Sequence, residues 1–190
     1  MANKLLAIFD LDGTLYDTKE VNYRSYKEAL SQINYNVDVD LDFYSKYCNS
    51  IHYKLFLPKI AQGISEDEMN YVHSIKKTLY SDNIKYAKRN NHLFNIIEQI
   101  RNQYFIALVT NANRKNATEI LEAFSDKDRF DLIITHEDIK TPKPSPNSFE
   151  IAMDYFKVTS KQTIVFEDSD VGIKAAQNCG ASYFRVYGYN

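Results

Sequence analysis

The stretch "LLAIFDLDGTLYD", residues 5–17, runs five apolar residues straight into two aspartates one residue apart, with a glycine directly behind them. Five residues is strand length, and unbroken apolar character without alternation marks a strand covered on both faces, as in a parallel sheet. Burying the charges of Asp10 and Asp12 where such a strand runs out is expensive unless something compensates them. The rest of the chain is read for that compensation.

Four further apolar runs have strand length: "YFIALVT" (104–110), "DLIIT" (131–135), "TIVFE" (163–167) and "SYFRVY" (182–187). Helical signals lie between them. "NRKNATEILEAFS" sets Ala117, Ile120, Leu121 and Phe124 at helical spacing, and "SPNSFEIAMDYF" opens with a proline in a first-turn position before Phe149, Ala152, Met153 and Phe156. "SDVGIKAAQNCG" ends on Gly180, suited to a helix C-terminus. Strand and helix in alternation predict an α/β, doubly wound, Rossmann-like domain with a parallel five-stranded sheet.

The first two runs are about ninety residues apart, whereas a crossover needs only about a dozen. The segment between them reads helical, with capping-box patterns starting at Asp17 (Glu20 three residues on) and at Ser65 (Glu68 three residues on). Leu55, Phe56, Ile60, Met69, Val72, Ile75 and Leu79 supply its apolar faces. The expected organisation is a core of residues 1–17 and 87–190 with a helical lobe, 18–86, spliced in. The polar, basic "YAKRNNHLF" (86–94) reads as the return hinge.

With 190 residues, 44% hydrophobic, and a net charge of −2 with interspersed signs, the chain presents no basic stripe for nucleic acid and no polybasic flank for a membrane surface. Too few apolar residues precede Asp10 for a signal peptide, and no window approaches the roughly 18 apolar residues of a membrane span. A cytoplasmic protein is expected. Cys48 and Cys179 form no CxxC, and His52, His73, His92 and His136 form no HExxH, so neither a disulfide framework nor a zinc site is indicated.

Ligands of an open parallel sheet bind at the carboxyl ends of its strands. Polar residues gather at those ends here: Asp10 and Asp12, then Thr110 and Asn111, then Glu167 and Asp168. Carboxylates so grouped repel one another without a cation, and a hard oxygen-ligand ion, Mg²⁺ by preference, resolves the conflict. Lys143 stands in a loop stiffened by Pro142, Pro144 and Pro146. Two cations leave room for an anion, and phosphate is the natural candidate, bound by the Thr110 hydroxyl and backbone N–H groups. Taken singly, each signal has a bland reading: a solvated turn, a rigid proline loop, a helix N-cap at Ser169 or Asp170, a strand terminus. Taken together, in order and each at a strand end or before a helix, they point to a site.

The set "DLDGTLYD", "VTN", "KPSP" and "FEDSDVG" resembles the four motifs of the haloacid dehalogenase superfamily, across essentially the whole core. The helical insert sits where members with a cap of the first type carry theirs. The resemblance implies a sheet ordered 3-2-1-4-5 and an inserted all-helical cap. It also implies Mg²⁺, with Asp10 as the nucleophile forming an aspartyl phosphate and Asp12 as the acid and base. Thr110 would bind the phosphoryl oxygens, Lys143 would offset charge, and Asn111 would stand with them in binding the substrate. Asp10, the backbone carbonyl of Asp12, Asp168 and, through water, Glu167 would hold the metal.

Asp12 argues for phosphoryl transfer over dehalogenation, which needs no acid for its leaving group. Lys54 and Lys59, the candidates for a Schiff base in phosphonate hydrolysis, read as solvated or snorkelling side chains. The chain also resembles the beta-phosphoglucomutase branch, but Asn22 stands where those mutases carry a histidine. Hydrolysis of a small phosphorylated metabolite is therefore the leading expectation, with a phosphosugar mutase or a ligand-binding non-enzyme as alternatives. His52, Tyr53, Lys54 and Arg24 are positional candidates for substrate selection. A monomer is expected, with a dimer through an uncovered sheet edge as the alternative.

Overall fold

The computed structural model describes residues 4–49 and 51–188. Internal contacts divide the chain into two compact units, one formed by the residues up to Asp17 and from Lys88 onward, the other by Thr18–Ala87.

The first unit holds the parallel sheet. Its strands are β1 (Leu5–Phe9), β4 (Tyr104–Val109), β5 (Leu132–Ile134), β6 (Thr163–Glu167) and β7 (Ser182–Arg185), in the order β5-β4-β1-β6-β7. This is the 3-2-1-4-5 order, with β1 at the centre paired in parallel to β4 and β6. Leu6, Ile8, Ala107, Val109 and Val165 form one buried face with Phe149, Ala152 and Met153 of helix α7 (Asn147–Phe156) and with Ala175 and Ala176 of α8 (Asp170–Cys179). Ala7, Phe9, Ile106 and Leu108 alternate with them along the strands and are equally buried on the other face. Burial on both faces is what the unbroken apolar runs require. Gly180 ends α8 at φ +75°, and Pro146 occupies the N-cap position of α7, one step before the expected first turn.

The second unit contains α1 (Lys19–Gln32), α2 (Leu41–Tyr47), α3 (Tyr53–Ile60) and α4 (Glu66–Asn83) around Tyr26, Leu30, Tyr44, Phe56, Leu57 and Val72. Ile60, Met69, Ile75 and Leu79 pack against that cluster, but Leu55 is 64% exposed. The Ser65–Glu68 capping box is present, with the Ser65 side chain and the Glu68 side chain each closing on the other's backbone. The helix expected to open at Asp17 has Thr18 at its N-cap position, with no cap hydrogen bond from the Thr18 side chain. Asp17 belongs instead to a two-residue strand, β2 (Tyr16–Asp17), paired antiparallel with β3 (Lys88–Arg89), and α1 starts at Lys19. The expected hinge 86–94 is likewise more ordered than its composition suggests. It holds β3 and the first residues of α5 (Asn91–Ile100), which Asn90 caps by accepting from the Leu93 amide. The remaining helix, α6 (Arg114–Ala123), follows β4. Among the described residues no helix is long and apolar enough to cross a membrane.

Candidate active site

Because β1 lies between β4 and β6, the residues that end these strands emerge side by side. Asp10 follows β1, Thr110 follows β4, and Glu167 is the last residue of β6 with Asp168 next to it. Lys143 arrives from the proline loop that precedes α7. Its Nζ donates to Asp10 Oδ1 at 2.7 Å, to Glu167 Oε1 at 2.8 Å and to the Val109 carbonyl at 2.9 Å. An ammonium has three protons, so these bonds employ all of them.

Glu167 and Asp168 are also held by groups other than the lysine. Glu167 Oε2 accepts from the Ser169 amide and hydroxyl, at 2.8 and 2.9 Å. The Ser169 hydroxyl oxygen in turn caps α8 by accepting from the Gly172 amide. A Cβ on Gly172 would stand 1.8 Å from Glu167 Oε1, so only glycine lets the helix approach this carboxylate. Asp168 Oδ1 accepts from the Thr14 hydroxyl at 3.1 Å, and a Cβ on Gly13, where φ is +90°, would come within 2.2 Å of Asp168 Oδ2.

Thr110 is buried, and its Oγ1 accepts from the Ala112 amide at 3.0 Å, which leaves the hydroxyl proton as a donor. Asn111 sits beside it, and its Oδ1 accepts from the Lys143 backbone N–H at 3.2 Å. Its side chain thus anchors the lysine loop, a part that the expectation of substrate binding did not include. Asp12 is half-buried in the loop after β1. Among the described residues, Asp10, Glu167 and Asp168 offer carboxylate oxygens within 4.8 Å of one another, and the Asp12 side chain is not in that group.

Burial pushes the Asp10 carboxyl well above the usual range; Lys143 pulls against this, and the charges of Glu167 and Asp168 add to it. Asp168 is pushed up to about 6, mainly by burial and then by Glu167. For Lys143, burial opposes the charge but Asp10 and Glu167 outweigh it, and its pKa lies above the ordinary lysine value. Three carboxylates face one ammonium, an excess that a single divalent cation would neutralise. The donor set is all oxygen, which suits Mg²⁺.

Sequence reasoning finds Ser169 as an N-cap but not its second task of holding Glu167, and it does not reach Thr14 or Gly172. The readable signals were a small hydroxyl residue directly after Asp12-Gly13 and the Ser-x-x-Gly spacing after Glu167-Asp168. The positional candidates of the helical unit all have partners there. His52 accepts from the Lys54 amide, Tyr53 donates to Asn70, Lys54 pairs with Glu66, and Arg24 pairs with Glu20.

An open five-stranded α/β sheet with carboxylates and a buried lysine gathered at its carboxyl edge defines the class. The family model for haloacid dehalogenase-like hydrolases matches residues 7–186, and the chain belongs to that family. It is 29% identical over 205 residues to a phosphoglycolate phosphatase of Aliivibrio fischeri, covering 98% of this chain and 86% of that protein. It is 25% identical over 195 residues to a phosphorylated carbohydrates phosphatase of Thermotoga maritima, covering 95% and 83%. The fold superimposes on CbbY of Rhodobacter sphaeroides, solved in complex with phosphate, with a TM-score of 0.81 at 22% identity, covering 97% of this chain and 87% of that one.

Proposed function

We propose that the protein is a phosphatase that hydrolyses a small phosphate monoester, with Mg²⁺ and an aspartyl-phosphate intermediate. The observation that carries this is the shared hold of Lys143 on Asp10 and Glu167, with Asp168 alongside. A structural ion pair would need one partner for the lysine; this cluster is over-supplied with acid at the end of a sheet where ligands bind.

In this reading Asp10 attacks phosphorus and the bond to the leaving oxygen breaks while Asp12 protonates that oxygen. Asp12, now a carboxylate, takes a proton from water as the water attacks phosphorus, and the bond to Asp10 breaks to release phosphate. Thr110 donates to the phosphoryl oxygens, and Lys143 holds the nucleophile in place and offsets its charge. Asp10, the Asp12 carbonyl and Asp168 would hold Mg²⁺, with Glu167 behind them. The ion would supply charge stabilisation for the transferring phosphoryl group. Thr18–Ala87 serves as the cap domain of this reading. The named relatives put phosphoglycolate and phosphorylated carbohydrates first in a substrate panel. Hydrolysis is favoured over a mutase because Asn22, where those mutases carry histidine, has an amide that cannot pass a proton; it donates to Thr18 Oγ1 at 3.4 Å.

The test is phosphate release from an aryl phosphate, with Mg²⁺ and with chelator, for the natural protein and for Asp10→Asn. Mg²⁺-dependent turnover that Asp10→Asn abolishes is expected. A natural protein that binds Mg²⁺ and phosphate yet never turns over sinks the hydrolase reading in favour of a strict mutase or a ligand-binding role.

A further inference from the structure

A second buried charge network lies away from the acidic cluster, in the same unit. Asp126, 1% exposed, follows α6 and accepts from four donors: Tyr16 Oη at 2.6 Å, Arg89 Nε at 2.6 Å, Arg89 Nη2 at 2.7 Å and Arg129 Nε at 2.6 Å. The Arg89 guanidinium also lies over the Phe94 ring, 3.7 Å from its centroid. Charge-assisted bonds from planar guanidinium groups hold a carboxylate in one orientation. That fixed carboxylate therefore fixes the end of the Tyr16 side chain.

Tyr16 is also the last residue of the Leu11–Tyr16 loop that carries Asp12. Its amide donates to the Leu11 carbonyl at 3.0 Å, and its carbonyl accepts from the Gly13 amide at 2.8 Å. Asn90, next to Arg89, grips the same loop twice, its amide donating to the Leu15 carbonyl at 2.8 Å and its Nδ2 to the Thr14 carbonyl at 3.1 Å. Between these holds lie Asp12, the Gly13 position that approaches Asp168, and the Thr14 hydroxyl that donates to Asp168.

We infer that Tyr16, Asp126, Arg89 and Asn90 are positioning residues that set the Leu11–Tyr16 loop and, through it, the Asp12 carboxylate and the Gly13–Asp168 approach. The inference rests on the phosphatase reading for its effect on rate. None of the four touches the reacting atoms. They act by limiting where the acid and base of the reaction can stand, and a misplacement of about 1 Å costs on the order of 10²-fold in rate.

Two mild variants test this. Tyr16→Phe deletes one hydroxyl and keeps the ring against Phe94 and Phe124, whose centroids are 5.6 and 5.1 Å away. Asn90→Ser keeps an N-cap for α5 but cannot reach the Thr14 carbonyl. Each should lower kcat by about tenfold with KM within about twofold, because the loss falls on alignment and not on binding. Each should also speed amide exchange at Gly13 and Tyr16 while leaving the strand amides of Ile8 and Val165 unchanged. Folded variants with natural kcat and unchanged exchange in the loop overturn the inference, since a purely structural brace would move only the melting temperature. A natural protein that releases no phosphate overturns the phosphatase reading, and loop exchange alone then decides whether the network sets the loop.

Discussion

Lys143 Nζ lies 2.7 Å from Asp10 Oδ1, both side chains buried, in a pair that a residue distant in sequence completes across the carboxyl edge of the sheet. The pair ties the nucleophile candidate to the loop between β5 and α7. The same ammonium reaches Glu167, so its removal leaves two buried carboxylates facing one another. Lys143→Met should therefore destabilise the metal-free protein by about 3 kcal/mol or more. Added Mg²⁺ should restore part of that loss, because an ion bound only by the native state stabilises it. Denaturant titration with and without Mg²⁺ measures both; a variant as stable as the natural protein would show that the carboxylates do not need the ammonium.

The two glycines make a sharper claim about space. A methyl group at Gly172 would occupy the place of Glu167 Oε1, and one at Gly13 would meet Asp168 while the backbone sits at φ +90°. Gly13→Ala and Gly172→Ala should each cost about 1–3 kcal/mol of stability. Each should lower phosphate release by about 10²-fold or more, since the displaced carboxylate belongs to the site. Full activity in either variant would mean that the carboxylate it touches has no fixed position to lose.

His73 should make the helical unit acid-sensitive. Its Nδ1 lies 2.8 Å from the Tyr26 hydroxyl and its ring stacks on Tyr53 at 4.1 Å. Burial, then the charges of Lys77 and Lys76, push its pKa down to about 4. Between the ordinary histidine value of about 6.5 and that value, the unfolded chain binds a proton that the native state refuses. Stability should therefore be full above about pH 6.5 and decline as pH falls toward about 4. His73→Gln should flatten that slope relative to the natural protein. Urea midpoints at neutral and mildly acid pH read the difference, and equal slopes would exclude His73 as the cause.

The Ser65 capping box offers a control outside the unit that holds the acidic cluster. Its hydroxyl accepts from the Glu68 amide at 3.3 Å, and Glu68 reaches back to the Ser65 amide at 2.8 Å. Ser65→Ala should cost about 1 kcal/mol and Ser65→Asp much less, because aspartate also caps. Thermal melts of the two variants measure this; equal midpoints would show that the box adds nothing to α4.

The extent to which the sequence could be read follows the range of the forces involved. A strand buried on both faces must be apolar throughout, so β1, β4 and β6 show as runs within a residue or two at each end, whereas the edge strand β7, exposed from Ser182 to Phe184, shows only as an aromatic-rich run of strand length. The Ser65 box is a contact three residues long and was equally visible. Asp17 reads as a helix start because a two-residue strand has no periodicity; its pairing with Lys88, seventy-one residues away, places it in β2. The sequence reading gives no helix at Asn91–Ile100 and puts its first residues in the hinge, because Asn90, Asn91 and His92 are polar, although Asn90 is there to cap it. Leu55 reads as core by its type, and the packing of α3 turns it outward.

By itself the sequence determined which residues end the strands, and hence that Asp10, Thr110, Glu167 and Asp168 gather at one edge of the sheet. Only the tertiary structure decided what each does to the next: Lys143 bridges Asp10 and Glu167, Asn111 holds the lysine loop, and Asp126 reaches Tyr16. Strand ends are set by local hydrophobic patterning, which a linear chain displays. A hydrogen bond between residues 133 or 110 positions apart depends on how the helices and loops between them pack, and no local pattern records it.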